Sequence, residues 1–256
     1  MVYAKKSLGQ NFLVHARIAE RIALVAELAN NAVVFEIGPG TGMLTRELLK
    51  RARKVIALEA DPELFKKLRI DFAPEITEGR LELSEGDIRT FNPTILPEGY
   101  VLVANIPYYL TGEIFRMFLE SSNQPSSITL LVQKEVVRRI ACSKKESILS
   151  LSVKAYGTPK YEFTVPHGAF KPAPKVDSAV LTIRNISRKS FSTHNEEKQF
   201  FKLLHAGFAH KRKFVRKNFL EAGFSPGNIP EKARAEDLSL SAWLALSTEQ
   251  NRAREK

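Results

Sequence analysis

The chain of 256 residues is 44% hydrophobic and 26% charged, the balance of a folded globular protein rather than a disordered or fibrous one. Apolar runs such as Val33 to Phe35 and Ile128 to Val132 are far shorter than the roughly 20 residues of a membrane span. Residues 1–10 lack a secretory core and Cys142 is the only cysteine, so a cytoplasmic protein without disulfides is expected. The net charge of +11 is uneven: residues 1–183 carry +4 and residues 184–256 carry +7, which points to a polyanionic partner met by the C-terminal part.

In chain order, Val33–Ile37 has the composition of a buried strand, Gly38–Gly42 that of a turn, and Met43–Arg51 that of a helix. Val55–Leu58 is the next strand and Pro62–Ile70 the next helix, with Asp61 as N-cap and Pro62 in the first turn. Strands at Leu81–Leu83, Val101–Ala104 and Ile128–Val132 alternate with helices at Gly112–Glu120 and Gln133–Cys142, a pattern that predicts a parallel α/β sheet. Tyr161–Val165 and Ala179–Arg184 flank a proline-rich loop and are expected to close the sheet as a hairpin-like pair. Asn185–Asn195 is polar and suits a linker, so a boundary is placed at 185/186. Beyond it Glu196–Leu220 is expected to be helical, and Thr248–Lys256 a frayed tail.

Four segments fall at strand ends, on the edge where open α/β sheets bind ligands. Glu36-Ile37-Gly38-Pro39-Gly40-Thr41-Gly42 lets the backbone approach a nucleotide-like ligand, but its G-x-G-x-G spacing with Met43 departs from the dinucleotide fingerprint. Glu59 follows a strand 21 residues after Gly38, where a carboxylate can accept from both ribose hydroxyls. Asp87, in Gly86-Asp87-Ile88, can accept from an exocyclic adenine amine or simply cap a turn. Asn105-Ile106-Pro107-Tyr108 is the most specific: an amide oxygen, a carbonyl fixed by Pro107 and an aromatic face can together hold a planar base by its amino group.

These segments, with Gln10-Asn11-Phe12-Leu13, resemble the rRNA adenine N6-methyltransferases. Gln133-Lys134-Glu135-Val136, Phe170 to Ser178 and Phe208 to Lys213 resemble the KsgA branch in particular, and the likeness runs from about residue 5 to residue 245. The resemblance implies a Rossmann-like S-adenosylmethionine-dependent methyltransferase sheet over residues 1–185, with a small all-helical, basic RNA-binding domain over 186–256. It implies N6,N6-dimethylation of two adjacent adenosines in the 3′-terminal hairpin loop of small-subunit rRNA, within a pre-30S-like particle, by a monomer that needs no membrane and no metal. By the same resemblance Asn11, Leu13, Gly38, Gly40, Glu59, Asp87, Ile88 and Asn105 would hold S-adenosylmethionine. Asn105, Pro107 and Tyr108 would orient the target adenine, with Phe170 as a second apolar wall. Ile106 and Tyr109 depart from the commoner Leu and Asn of the family, and Tyr109 is expected to alter the wall beside the target base.

On an unbroken helix from Phe201 to Leu220, Leu204, Phe208, Val215 and Phe219 would share one arc, with Arg212, Lys213, Arg216 and Lys217 on the next. Lys211, Arg212, Lys213, Arg216 and Lys217 are therefore the candidate phosphate contacts, with Lys5 and Lys6 as an extension of the patch. None of the five histidines stands at metal-ligand spacing beside the cysteine.

Overall fold

Short β-branched runs separated by helical stretches build the computed structural model, which describes residue 5 and residues 8–254. It divides into two compact units: residues up to Val137 with Pro159–Ile186, and Arg138–Thr158 with residues from Ser187 onward.

The first unit holds, in chain order, β1 (Phe12–Leu13), α1 (Ala16–Val25), β2 (Val33–Ile37), α2 (Met43–Leu49), β3 (Lys54–Glu59), α3 (Pro62–Asp71), α4 (Ala73–Thr77), β4 (Leu81–Glu85), β5 (Val101–Asn105), α5 (Thr111–Leu119) and β6 (Ser127–Gln133). β7 (Thr158–Val165), β8 (Phe170–Lys171) and β9 (Ser178–Arg184) complete it. Seven strands form one sheet in the order β4-β3-β2-β5-β6-β9-β7, parallel from β4 to β6, with β9 antiparallel to β6. The order reverses between β2 and β5, so their carboxyl ends flank a crevice. Helices cover both faces of such a sheet, which is why Val101–Ala104 and Ile128–Val132 are buried throughout and apolar but for Thr129. Asp61 caps α3 by accepting from Glu63 N at 3.0 Å, a bond worth about 1 kcal/mol.

Between β6 and β7 run α6 (Lys134–Ala141) and α7 (Ile148–Tyr156). The division between the units falls inside α6, and α7 packs with the second unit. The segment 138–158 thus departs from the first domain, where sequence alone puts it. The reason is local: Leu151 and Ala155 of α7 belong to the core made by Phe200, Leu203, Phe219 and Trp243. α7 starts at a reciprocal cap, Ser147 Oγ accepting from Ser150 N at 3.1 Å and Ser150 Oγ from Ser147 N at 2.7 Å.

The second unit adds α8 (His194–Gly207), α9 (Val215–Glu221) and α10 (Leu240–Arg254). The single helix expected over Glu196–Leu220 is broken by a turn at residues 208–214; Gly207, the last residue of α8, lies so close to the Trp243 indole that a Cβ there would overlap it. Leu204, Val215 and Phe219 do reach one core, but from two helices. The tail expected to fray from Thr248 is the end of α10, where Gln250 is 6% exposed and donates to Ser225 O at 2.8 Å. The expected linker is also held: Phe191 packs on Phe200 and Arg188 pairs with Glu197.

Candidate active site

A cleft with about 1050 Å³ of empty space, open to solvent, lies at the carboxyl ends of β2, β3 and β5 and the loop after β4. Residues 8–13 form its remaining wall. All eight residues expected to hold the cofactor line it: Asn11, Leu13, Gly38, Gly40, Glu59, Asp87, Ile88 and Asn105. Pro107 and Tyr108 line it too. Phe170 does not; it sits 4% exposed on β8 opposite Leu13 of β1, packed into the sheet core. The second apolar wall is therefore not formed by Phe170 in this structure, and Tyr109, 60% exposed, stands at the mouth instead.

The glycine loop is held open by backbone chemistry. Gly40 has φ +61 and its N–H donates to Glu59 Oε2 at 2.9 Å, so loop and acid fix each other. Gly42 has φ +77, and a Cβ there would lie 2.5 Å from the Phe72 ring, which excludes any larger residue where α2 begins. Glu59, at the end of β3 and 4% exposed, also accepts from Asp61 N at 2.9 Å. Burial raises its proton affinity, and the backbone N–H groups from Asp61 and Gly40 only partly offset this.

The N-terminal wall is pinned by polar contacts at both edges. Asp61 accepts from Lys5 Nζ at 2.8 Å and Gln10 Nε2 at 3.2 Å. Burial would push this carboxyl up, but the bonds from Lys5, Gln10 and Glu63 N win and hold it below the usual range. Lys5 is thereby engaged with Asp61, and Lys6 lies outside the described residues. At the other edge Asn105 Nδ2 donates to Asn11 O at 3.2 Å, which leaves Asn105 Oδ1 to accept from a ligand.

Asp87 caps the short turn Ile88–Thr90 and is bound by Arg89, whose guanidinium lies 2.5 Å from Oδ2. Hydrogen bonds from Arg89 hold its carboxyl below the ordinary range. The turn cap, the alternative role for this residue, is formed, and the residue also lines the cleft. Tyr108 is half-buried, its hydroxyl 2.6 Å from Ser178 Oγ. Tyr109 lies over Gly9, where a Cβ would come within 3.0 Å of its ring.

Two of the charged lining residues have no role in the sequence-based expectation: Arg89, the partner of Asp87, and Glu36, 1% exposed on β2 with Oε2 unpartnered. The signal for Glu36 is its place as the lone acid in the apolar run Val33–Ile37. Burial, with Glu59 nearby, raises its carboxyl to about 8.

The five candidate RNA contacts lie in the second unit. Lys211, Arg212 and Lys213 stand exposed in the α8–α9 turn and Lys217 is exposed on α9. Lys213 pairs with Glu221 at 2.7 Å, and half-buried Arg216 donates to Ile229 O at 3.1 Å. They form a cluster on a turn and a helix start rather than one helical stripe. Among the described residues there is no grouping of His, Cys, Asp and Glu able to hold a metal, and no helix long and apolar enough to cross a membrane.

The donor set fits S-adenosylmethionine. Buried Glu59 offers carboxylate lone pairs beside a close-approach glycine loop, Ile88 gives an apolar surface, and Glu36, a further lining residue, is a buried acid whose Oε2 has no partner. The chain is 38% identical to a ribosomal RNA small subunit methyltransferase A of Dehalococcoides mccartyi, over 96% of this chain and 88% of the relative. It is also 38% identical to one of Mycoplasmopsis synoviae, over 96% of each chain. Among solved structures, a dimethyladenosine transferase from Plasmodium falciparum matches with a TM-score of 0.79 at 25% identity, covering 94% of this chain and 98% of that one. The 23S rRNA methyltransferase ErmE matches with a TM-score of 0.77 at 28% identity, covering 94% and 100%. The ribosomal RNA adenine dimethylase model spans residues 1–250, and with the geometry of the cleft it places this chain in that family of S-adenosylmethionine-dependent rRNA adenine dimethyltransferases.

Proposed function

We propose that this enzyme transfers two methyl groups to N6 of each of two adjacent adenosines in the 3′-terminal hairpin loop of small-subunit rRNA, acting as a cytoplasmic monomer on a pre-30S-like particle. The observation that carries this is the convergence of Asn105, Pro107 and Tyr108 with the glycine loop, Glu59 and Asp87 around one cleft, in a chain whose relatives are named for the small subunit.

S-adenosylmethionine supplies a methyl group already activated on a sulfonium, so the protein's work is to orient the amine and exclude water. Glu59 takes the ribose hydroxyls on lone pairs left by Gly40 N–H and Asp61 N–H. Asp87, braced by Arg89, and Ile88 take the adenine of the cofactor. Asn105 Oδ1 accepts from N6 of the target base, its amide fixed by the donation to Asn11 O. With the carbonyl near Pro107 it draws the amine out of conjugation, so that the lone pair faces the methyl group. Asn suits this place because it accepts without titrating. Tyr108 offers its ring to the target base, and positioning of this kind contributes on the order of 7–11 kcal/mol when geometry is near attack. The N6 proton leaves after transfer, when the product amine is strongly acidic, and water suffices to take it. Lys211, Arg212, Lys213, Arg216 and Lys217 grip phosphates, with little sequence information of their own.

The test is transfer of label from S-adenosylmethionine to undermethylated small subunits and, separately, to large-subunit rRNA, followed by nucleoside analysis. N6,N6-dimethyladenosine in the small subunit alone is the expected result. Label in the large-subunit RNA instead would assign the chain the substrate named for ErmE.

A further inference from the structure

Glu36 is the only ionisable side chain on β2, and methyl transfer as derived for this cleft gives it no task. It is 1% exposed, it lines the cleft, and its Oε2 has no hydrogen-bond partner. The groups around it do not neutralise a charge there. From β3 comes Glu59, a second acid whose oxygens are taken by Gly40 N–H and Asp61 N–H. From α2 comes Thr45, whose hydroxyl opposes protonation but makes no hydrogen bond of normal geometry and stays unpartnered as well. β5, on the other side of β2, ends in the uncharged Asn105. Among the described residues the cations of the region are committed elsewhere: Lys5 to Asp61 and Glu63, Arg89 to Asp87, and Arg46 over the Phe72 ring. A buried carboxylate without a counter-charge costs several kcal/mol, so one carboxyl of the pair Glu36 and Glu59 keeps a proton. Glu59, with two N–H donors, is the member suited to bear the charge; Glu36 holds the proton.

We propose that Glu36 couples cofactor seating to proton release: it is neutral in the empty cleft, and a cationic ligand supplies the missing counter-charge, so that the carboxyl ionises and its proton passes to solvent. The charges balance, since one ligand cation enters as one proton leaves and the cleft gains a buried ion pair in place of an unpaired acid. A neutral ligand of the same shape offers no such exchange. The inference rests on the cofactor being S-adenosylmethionine, which is cationic at the sulfonium and the α-amino group.

Titration calorimetry of the full chain in two buffers of different ionisation enthalpy counts the protons. At pH 6.5 the ligand's α-amino group, of ordinary pKa about 7.7–8.0, is already protonated and adds little. S-adenosylmethionine should release close to one proton per site, and 5′-methylthioadenosine, which lacks both cations, none. The affinity for S-adenosylmethionine should rise nearly tenfold per pH unit from 6 to 7, and in Glu36→Gln both the release and this slope should vanish. If that variant does not fold, the contrast between the two ligands on the wild-type protein still decides. Binding of S-adenosylmethionine with no proton released, or equal release by Glu36→Gln, would overturn the proposal; no binding at all would overturn the cofactor assignment with it.

Discussion

The Tyr108 hydroxyl lies 2.6 Å from Ser178 Oγ, which ties the aromatic after β5 to the first residue of β9. Ser178 is fully buried and pairs in register with Gln133 of β6, so it is a rigid anchor for a half-buried ring. Tyr108→Phe and Ser178→Ala should each cost about 0.5–1.5 kcal/mol of stability. If the bond positions the ring, each should also lower kcat several-fold, with a double variant no worse than either single one. Steady-state kinetics on the four proteins check this. Additive losses in kcat would show that the hydroxyl and Ser178 act separately.

Asn105 has two tasks on one amide, donation to Asn11 O and acceptance at Oδ1. Asn105→Ala should abolish detectable transfer while RNA affinity, measured by filter binding, stays within about twofold, since the basic cluster lies on other residues. Asn105→Asp should also be inactive: a carboxylate keeps the acceptor but loses the donor to Asn11 O. Activity in the Asp variant would place the essential interaction at Oδ1 alone.

Much of this is legible in the sequence. The strand-end motifs Gly38–Gly42, Glu59, Asp87 and Asn105–Tyr108 are local, and the alternation of strands and helices sends them to one sheet edge, so all of them reach one cleft. What stays hidden depends on neighbours distant in sequence. Phe170 lies in a conspicuous proline-rich segment, yet pairing of β8 with β1 draws its ring into the core. The need for a residue without Cβ at Gly207 comes from Trp243, 36 residues later, which no helical periodicity near Gly207 encodes. α7 joins the second unit because Leu151 meets Phe200 and Trp243 in one core, although its start is readable as Ser147-x-x-Ser150.

The buried acid also sets how stability depends on pH. Glu36 keeps its proton to about pH 8 in the folded protein but only to about 4.5 when exposed. Between these values the folded state holds the extra proton, so this group's contribution makes the empty protein less stable as pH rises. Glu36→Gln should flatten that decline and melt higher than wild type at pH 8.5. Thermal unfolding from pH 5 to 9 measures it; a variant that melts lower at every pH, with an unchanged slope, would mean the carboxyl is ionised throughout.

The basic cluster is not uniform. Lys213 is paired with Glu221, and Arg216 is half-buried on Ile229 O, whereas Lys211, Arg212 and Lys217 are exposed. Lys217→Glu should therefore weaken RNA binding more than Lys213→Glu. Combined Lys211, Arg212 and Lys217 substitutions by Ala should reduce the slope of log K against log salt by about 0.7–0.9 for each phosphate that is no longer neutralised. Cofactor affinity should not change. An unaltered salt slope would remove this cluster from the RNA interface.

Gly207 is the sharpest packing constraint in the second unit. A Cβ there would overlap the Trp243 indole and come within 3.0 Å of Phe219, both fully buried, so the ring has no free space into which to move. Asn218 Nδ2 also donates to Gly207 O at 2.6 Å, which holds the end of α8 against α9. Alanine favours a helix by about 1 kcal/mol over glycine, yet the clash should outweigh that gain. Gly207→Ala is expected to destabilise by about 1–3 kcal/mol. Because the turn carrying Lys211 and Arg212 begins directly after α8, the same substitution should weaken RNA binding while leaving S-adenosylmethionine affinity, set by residues of the first unit, unchanged. Denaturant melts, RNA filter binding and cofactor titrations on one preparation test each part of this expectation, and a stabilised variant would mean that Trp243 can yield.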